Sequence, residues 1–157
     1  MFGAVALAQS ADITGWHGLL WGAKKAAALK TLQPLHVREC GPHPKAPCAE
    51  AAGPDELAID AFRLNAISYQ VGLFFSPATG LTGVTMTAHD EKGAFDKALA
   101  GLTSLHGKPE FQSEYDGDAE EIQSRWIWTK PHGKISLASE DGVFTITYEA
   151  RSERGRK

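Results

Sequence analysis

The sequence predicts an α+β fold, a two-layer sandwich in which an antiparallel sheet carries helices on one face. Two segments show helical periodicity, and six others alternate apolar and polar residues as half-buried strands do. These segments follow one another in the order α-βββ-α-βββ, with short turn sequences between neighbouring strands. The competing architecture is a more closed barrel that is capped by the helices.

The two predicted helices differ in length and in their boundary signals. The first covers residues 22–35, where a run of alanines leads to Leu32 and Pro34 marks the end. The second begins at Asp90, a suitable N-cap residue, and ends before Gly107. Each helix has an apolar stripe that we expect to pack on one face of the sheet.

The six predicted strands form two groups of three. They cover residues 57–64, 67–76 and 81–89, followed by residues 122–129, 134–139 and 143–148. In the second strand Tyr69 and Val71 share one face. Turn sequences at residues 77–80 and 141–142 join neighbouring strands, so we expect each group to be an antiparallel meander.

Composition and charge limit the class of protein. The chain has 157 residues, of which 43% are hydrophobic and 22% are charged, and this suits one globular domain. The net charge is −3, but the last seven residues hold four bases and one acid, so residues 1–150 carry 12 bases and 18 acids, a net −6. Scattered bases on an acidic body argue against a nucleic-acid partner. No apolar run approaches the ~20 residues of a transmembrane helix, so we expect no transmembrane segment.

The N-terminus is interpreted as the end of a secretory signal. Ala6 and Ala8 precede Gln9 as in an A-x-A cleavage site, although no basic region precedes the short apolar stretch. A start codon placed too late and an ordinary apolar terminus are the alternatives. We expect residues 1–8 to be a signal-peptide remnant, residues 9–150 a single α+β domain and residues 151–157 a basic tail. The localisation would be periplasmic or secreted.

Two cysteines bracket the middle of a proline-rich loop at residues 37–55. Cys40 and Cys48 are the only cysteines, and in an exported chain such a pair predicts a disulfide. A metal site is an alternative, with His36 and His43 as the further ligands, although the tight ligand pairs of structural zinc sites are absent. Two free thiols are the remaining possibility.

Motifs for catalysis or cofactor binding are not recognisable. The histidines are dispersed, and neither a G-x-S-x-G nucleophile motif nor a P-loop is present. An acidic cluster lacks the ligand order of an EF-hand and is interpreted as a solvated loop; it consists of Asp116, Asp118, Glu120 and Glu121. We therefore name no catalytic residue and no cofactor, and we expect a protein that is not an enzyme.

Two short motifs carry a family resemblance. GWHGLLWG at residues 15–22 leads into the first helix, and LHGKP at residues 105–109 precedes Trp126 and Trp128. The motifs resemble small bacterial envelope proteins, namely the outer-membrane-assembly lipoproteins called SmpA or BamE and the β-lactamase-inhibitor-protein-like fold. The resemblance implies a periplasmic or secreted interaction module. Those lipoproteins need a cysteine directly after the signal, where this chain has Gln9, so lipid anchoring is not implied.

Large apolar residues predict where a partner binds. Trp126 and Trp128 share one face of their strand while Ile127 takes the other, and Phe74 lies on the face that the helices leave open. We expect these four residues to supply a binding surface or a homodimer contact, with the protein core as the alternative for the tryptophans.

Three functional hypotheses follow. The first is an exported cell-envelope protein-interaction module that binds another envelope protein or itself. The second is a small-ligand or metal-binding periplasmic protein that uses the loop at residues 37–55. The third is a small hydrolase whose site is not visible in local sequence.

Overall fold

The computed structural model describes residues 11–40, 56–115 and 122–151. Several predictions concern residues outside these ranges. They are the signal remnant at residues 1–8, the disulfide partner Cys48, the possible metal ligand His43, the acidic cluster at residues 116–121, and the basic tail beyond Arg151.

A small hairpin opens the described chain. Strands β1 (Gly15–Trp16) and β2 (Leu19–Leu20) pair antiparallel. His17 and Gly18 form the turn between them, with φ angles of 47° and 84°. The indole N–H of Trp16 donates to Sδ of Met86 at 3.4 Å, which ties the hairpin to the main sheet. The sequence analysis predicted no strand in this segment.

The first helix is shorter than predicted. Helix α1 covers Lys25–Thr31 and is followed by a 3-10 turn at Gln33–Leu35, whereas the prediction was one helix over residues 22–35. Gly22 has a φ of 88° and its N–H donates to the carbonyl of Leu81 at 3.0 Å. The backbone bond to the sheet therefore replaces the first helical turn.

One antiparallel sheet of eight strands dominates the structure. The strands are β3 (Arg38–Glu39), β4 (Glu56–Leu64), β5 (Ile67–Ser76), β6 (Gly80–His89), β7 (Glu110–Tyr115), β8 (Ile122–Thr129), β9 (Gly133–Glu140) and β10 (Val143–Ala150). Their spatial order is β3-β4-β5-β6-β10-β9-β8-β7. Each of the six predicted strands lies within an observed strand.

The pairing of β6 with β10 joins the two predicted meanders. In this pairing Met86 lies opposite Ile146, and Thr87 lies opposite Thr145. Because directly opposed residues of an antiparallel pair share a face, the apolar faces of both meanders become continuous. A single core can therefore form along one side of all the long strands.

Helix α2 (Ala94–His106) connects the meanders. The Asp90 carboxylate accepts a hydrogen bond from the backbone N–H of Phe95 at 3.2 Å. The helix nevertheless begins four residues after Asp90, because Gly93 has a left-handed φ of 75° and is the N-cap residue. It ends at Gly107, the predicted stop, which has a φ of 90°.

The core lies between one face of the sheet and the elements that pack on it, which are the hairpin, α1 and α2. We call this the core face. Its buried side chains include Leu57, Ile59, Tyr69, Val71, Leu73, Val84, Met86, Trp128, Ile135, Leu137, Phe144 and Ile146. Trp16, Ala28, Leu32, Ala98 and Leu102 contribute from the covering elements.

The predicted α+β two-layer sandwich with the order α-βββ-α-βββ is wrong. The structure is mostly β, with 53% of the described residues in strands. Strands at Arg38–Glu39 and Glu110–Tyr115 extend the sheet at both edges, and the hairpin adds two more strands. The first helix also covers only half of its predicted length, because Gly22 to Lys24 are not helical and Gln33–Leu35 form a 3-10 turn. Alternation is hard to read in such short or polar segments, so the strand content was underestimated.

Within the described ranges, no helix combines the length and the apolar character that crossing a membrane would require.

Candidate functional site

The second face of the sheet, which we call the open face, lies opposite the core face. It is defined by the registers of the strands, in which Ala58, Gly72 and Thr85 lie side by side and Thr87, Thr145 and Ala138 continue the face. Most of these side chains are short, so the face is flat. Side chains with few rotamers lose little conformational entropy when a partner orders them, and this favours binding.

A pocket of about 210 Å³ lies on the open face, at the end of the sheet that contains β3. Its lining comes from strands β3 to β6 and includes Arg38, Glu56, Ala58, Asp60, Gln70, Gly72, Thr85 and Thr87. Polar and charged groups therefore converge on a small volume beside short side chains.

Glu56 is the unusual residue of this pocket. Its exposure is 3%, and it is the one charged residue that is buried in the described part of the chain. Its Oε2 atom has no hydrogen-bond partner. Burial without a compensating charge raises the pKa of the Glu56 carboxyl above its ordinary value. Buried polar atoms are normally paired, so an unpaired carboxylate oxygen in a pocket points to a ligand.

Gly72 makes room for this carboxyl group. A Cβ at position 72 would lie 3.2 Å from Oε1 of Glu56 and 3.1 Å from Oγ1 of Thr85. It would also lie 3.6 Å from Cε2 of Phe74. The Glu56 carboxyl therefore reaches across β5 at the one position without a side chain, between the Thr85 hydroxyl and the Phe74 ring.

Arg38 and Asp60 form the charged rim of the pocket. Nε of Arg38 donates to Oδ2 of Asp60 at 3.0 Å, and Nη2 donates to Oδ1 at 2.9 Å. These hydrogen bonds lower the pKa of Asp60 and raise that of Arg38. The bidentate pair fixes the guanidinium against Asp60.

A second depression of about 380 Å³ lies further along the open face. Arg125, Ala138, Glu140 and Thr145 are among its lining residues. Thr145 Oγ1 lies 3.3 Å from Thr87 Oγ1, which lines the first pocket. The two depressions are therefore neighbours on one continuous surface.

The structure divides the four predicted binding residues between the two faces. Trp126 and Trp128 lie on the core face, where Trp128 is 2% exposed and its indole N–H donates to the Gly107 carbonyl at 2.8 Å. Trp126 is half-buried, with ring centroids 5.1 Å from those of both Phe95 and Phe111. These contacts make the tryptophans packing residues.

Phe74 and Ile127 lie on the open face, but they do not form one patch. Their strands, β5 and β8, are separated by β6, β10 and β9, which corresponds to about 19 Å along the sheet. Ile127 is 8% exposed and Phe74 is half-buried. Of the four predicted residues, only Phe74 borders the Glu56 pocket.

The predicted cysteine loop is partly described. Cys40 is 2% exposed, and its backbone N–H donates to the carbonyl of Glu56 at 3.0 Å. His36 follows the 3-10 turn with a left-handed φ of 58°. Because Cys48 and His43 lie outside the described ranges, the disulfide and the alternative metal site both stay untested predictions. Among the described residues no cluster of three or more histidine, cysteine or acidic side chains could hold a metal ion.

A third pocket of about 400 Å³ lies at the hairpin end of the molecule. The rings of Trp16, His17 and Phe62 stack there with centroids 5.1 to 5.3 Å apart. Leu20 and Leu64 also line it and are 67% and 43% exposed. No buried unpaired polar atom of the described chain lies in this pocket, so the Glu56 pocket is the stronger candidate.

The pocket residues were not predicted from the sequence. Alternation along β4 places Leu57 and Ile59 on the core face and Glu56 on the open face, and this placement is predictable from the sequence. The burial of Glu56 is not predictable from the sequence, because it depends on Gly72 in the neighbouring strand.

Comparison of the chain with protein-family models, with curated proteins and with solved structures finds no significant match.

Proposed function

We propose that the chain is an exported, non-catalytic binding module that recognises another cell-envelope protein through its open face. The observation that carries the proposal is the unpaired, buried Glu56 carboxylate within a flat surface of short side chains. The acidic body, with a net charge of −6 over residues 1–150, favours a basic partner surface. The sequence resemblance to envelope proteins and the cysteine pair support the compartment.

Binding of a protein fits this surface better than catalysis. A catalytic site requires a nucleophile or a general base that is held by a second group. In the described part of the pocket the only paired ionisable groups are Arg38 and Asp60, which bind each other. The open face instead extends beyond the pocket to the second depression, as a protein contact would.

The test is site-specific photo-cross-linking in the native host. A photoreactive amino acid is placed at Thr147 on the open face and, as a matched control, at Lys97 on the exposed side of α2. The proposal predicts cross-linked species from Thr147 only, with the protein in the envelope fraction. Adducts from Lys97 alone, or a cytoplasmic location, would contradict it. An adduct of twice the chain mass would assign the open face to a homodimer and overturn the proposed partner.

A further inference from the structure

We propose that the Glu56 pocket receives the ammonium group of a lysine side chain that the protein partner presents. This inference rests on the proposed function, because it names the group by which the open face would hold its partner. Three properties of the pocket carry it: an unpaired acceptor, a wall of short side chains and a rim whose own cation is already engaged.

The unpaired acceptor requires a positive ligand. Oε2 of Glu56 is buried without a hydrogen bond, and a buried anion without a partner is costly. Among the described residues, no cation donates a hydrogen bond to this carboxyl group. An ammonium ion would supply both the missing charge and the missing donor.

The walls suit a lysine side chain. Ala58 and Gly72 line one part of the pocket, and the Phe74 ring lies beside Gly72. A lysine stem of four methylene groups can lie against such a wall while its charged end reaches inward. The ammonium group carries three donors, and the hydroxyl group of Thr85 is a further acceptor near the Glu56 carboxyl.

The rim argues against an anion and against arginine. Arg38 is the cation of the pocket, and Asp60 already occupies its guanidinium in a bidentate pair. An anionic ligand would meet the Glu56 and Asp60 carboxylates without a free cation. A guanidinium group prefers a carboxylate that offers both oxygens, whereas Oε1 of Glu56 is turned toward Gly72 and Thr85. A compact ammonium needs only one oxygen.

The surroundings argue for a lysine of a protein. The open face continues from Thr87 to Thr145 and the second depression, so a partner can contact much more than the pocket. A free amine would gain nothing from this surface. In many interfaces a few residues carry most of the binding energy, and a lysine in the Glu56 pocket would be one of them.

The inference is tested by NMR titration of the complete ¹⁵N-labelled chain. The probes are Nα-acetyl-lysine methylamide, its Nε-acetylated form and the corresponding arginine derivative. We expect saturable shifts at the amides of Gly72 and Thr85 with the lysine derivative, with a millimolar Kd, and no saturable shift with the other two probes. Glu56→Gln should weaken binding at least about tenfold. Glu149→Gln is the matched control, because it removes the same charge from an exposed position of the open face and should leave the Kd unchanged.

A second variant guards against an effect of Glu56→Gln on folding. Gly72→Ala keeps the carboxylate but places a methyl group beside it, and it should also weaken binding. Equal shifts with the Nε-acetylated probe, or unchanged binding by Glu56→Gln, would overturn the inference. Cross-links from Thr147 that persist in Glu56→Gln would leave the proposed function intact while removing the lysine anchor. Butylammonium is titrated as a further probe. If it binds as tightly as the lysine derivative, and Glu56→Gln has no effect on cross-linking, the pocket is assigned to a free amine instead.

Discussion

The carboxyl group of Glu56 lies over Gly72 of the neighbouring strand, so that its Oε1 atom is 3.2 Å from the position a Cβ of residue 72 would take. The Glu56 side chain of β4 occupies space above β5. This space is free because residue 72 is a glycine and has no side chain. Few real Cβ contacts are that short, and the absence of a side chain at position 72 is a condition for the carboxyl to sit where it does. The stability of the pocket should therefore depend on both residues together.

We expect Gly72→Ala and Glu56→Ala to show a coupled effect on stability. Alanine in a strand reduces the entropy of the unfolded chain and stabilises by about 0.4–1 kcal/mol where it fits. With Glu56 present this gain is offset by crowding, so Gly72→Ala alone should be near neutral. In the Glu56→Ala background the gain should appear in full. Denaturant unfolding of the four proteins measures the coupling, and additive effects would show that the two side chains do not share the space.

Glu56→Gln should stabilise the protein at neutral pH by about 1 kcal/mol, since it removes a buried charge that has no partner. The raised pKa of Glu56 means that the folded state binds the proton more tightly than the unfolded state. The free energy of unfolding of the parent protein should therefore fall as the pH rises above the ordinary value of 4.5 through the raised pKa. Glu56→Gln should lack this component. Parallel pH profiles of the two proteins would contradict the desolvation of Glu56.

The long strands were predictable because their patterns are regular. In β5, Tyr69, Val71 and Leu73 alternate with polar or small residues, and the observed faces follow that alternation. The turn at Asp141 and Gly142 was also readable, since both residues take the positive φ angles that such a sequence favours. Local sequence was sufficient for these elements.

The remaining features depend on partners that are distant in sequence. In β7 the polar Ser113 stands between Phe111 and Tyr115 and weakens the apolar alternation, and the segment is a strand through its pairing with β8. Gly22 leaves the helical conformation to bond with Leu81. The Glu56 pocket arises from four strands at once, so no single segment carries its signature.

Cys40 and Cys48 should be oxidised to each other in protein from the native host, because an exported chain with two cysteines this close favours the disulfide. Mass spectrometry before and after reduction should show a gain of two hydrogen atoms. Alkylation without reductant should leave both residues unmodified. If both thiols are alkylated without prior reduction, the disulfide is absent. The argument that the protein is exported would then be weaker.

Asp12 and His132 should form a contact that is sensitive to acid. Asp12 accepts hydrogen bonds from the backbone and the ring of His132, and although partial desolvation opposes them, these bonds lower the pKa of Asp12. A lowered pKa stabilises the folded state above the ordinary value of 3.8, and the contribution is lost as the pH falls through the lowered value. Asp12→Asn should therefore lower the thermal midpoint at neutral pH, and its deficit should vanish in strong acid. The same deficit in the control Glu149→Gln would point to a general charge effect.

Phe74 and Trp128 should respond in opposite ways to replacement by serine, because they lie on opposite faces of the sheet. Trp128 is 2% exposed and bonded to Gly107, so Trp128→Ser should cost about 3–5 kcal/mol of stability.

Phe74 is half-buried beside the Glu56 pocket, where its ring borders the position above Gly72. Phe74→Ser should cost about 1–2 kcal/mol, since only part of its apolar area is removed from water. It should nevertheless abolish the cross-links from Thr147, because the partner would lose the aromatic ring that lies beside Gly72 on the open face. Full cross-linking by Phe74→Ser would place the contact elsewhere on the open face, whereas a loss of stability as large as that of Trp128→Ser would make Phe74 a core residue.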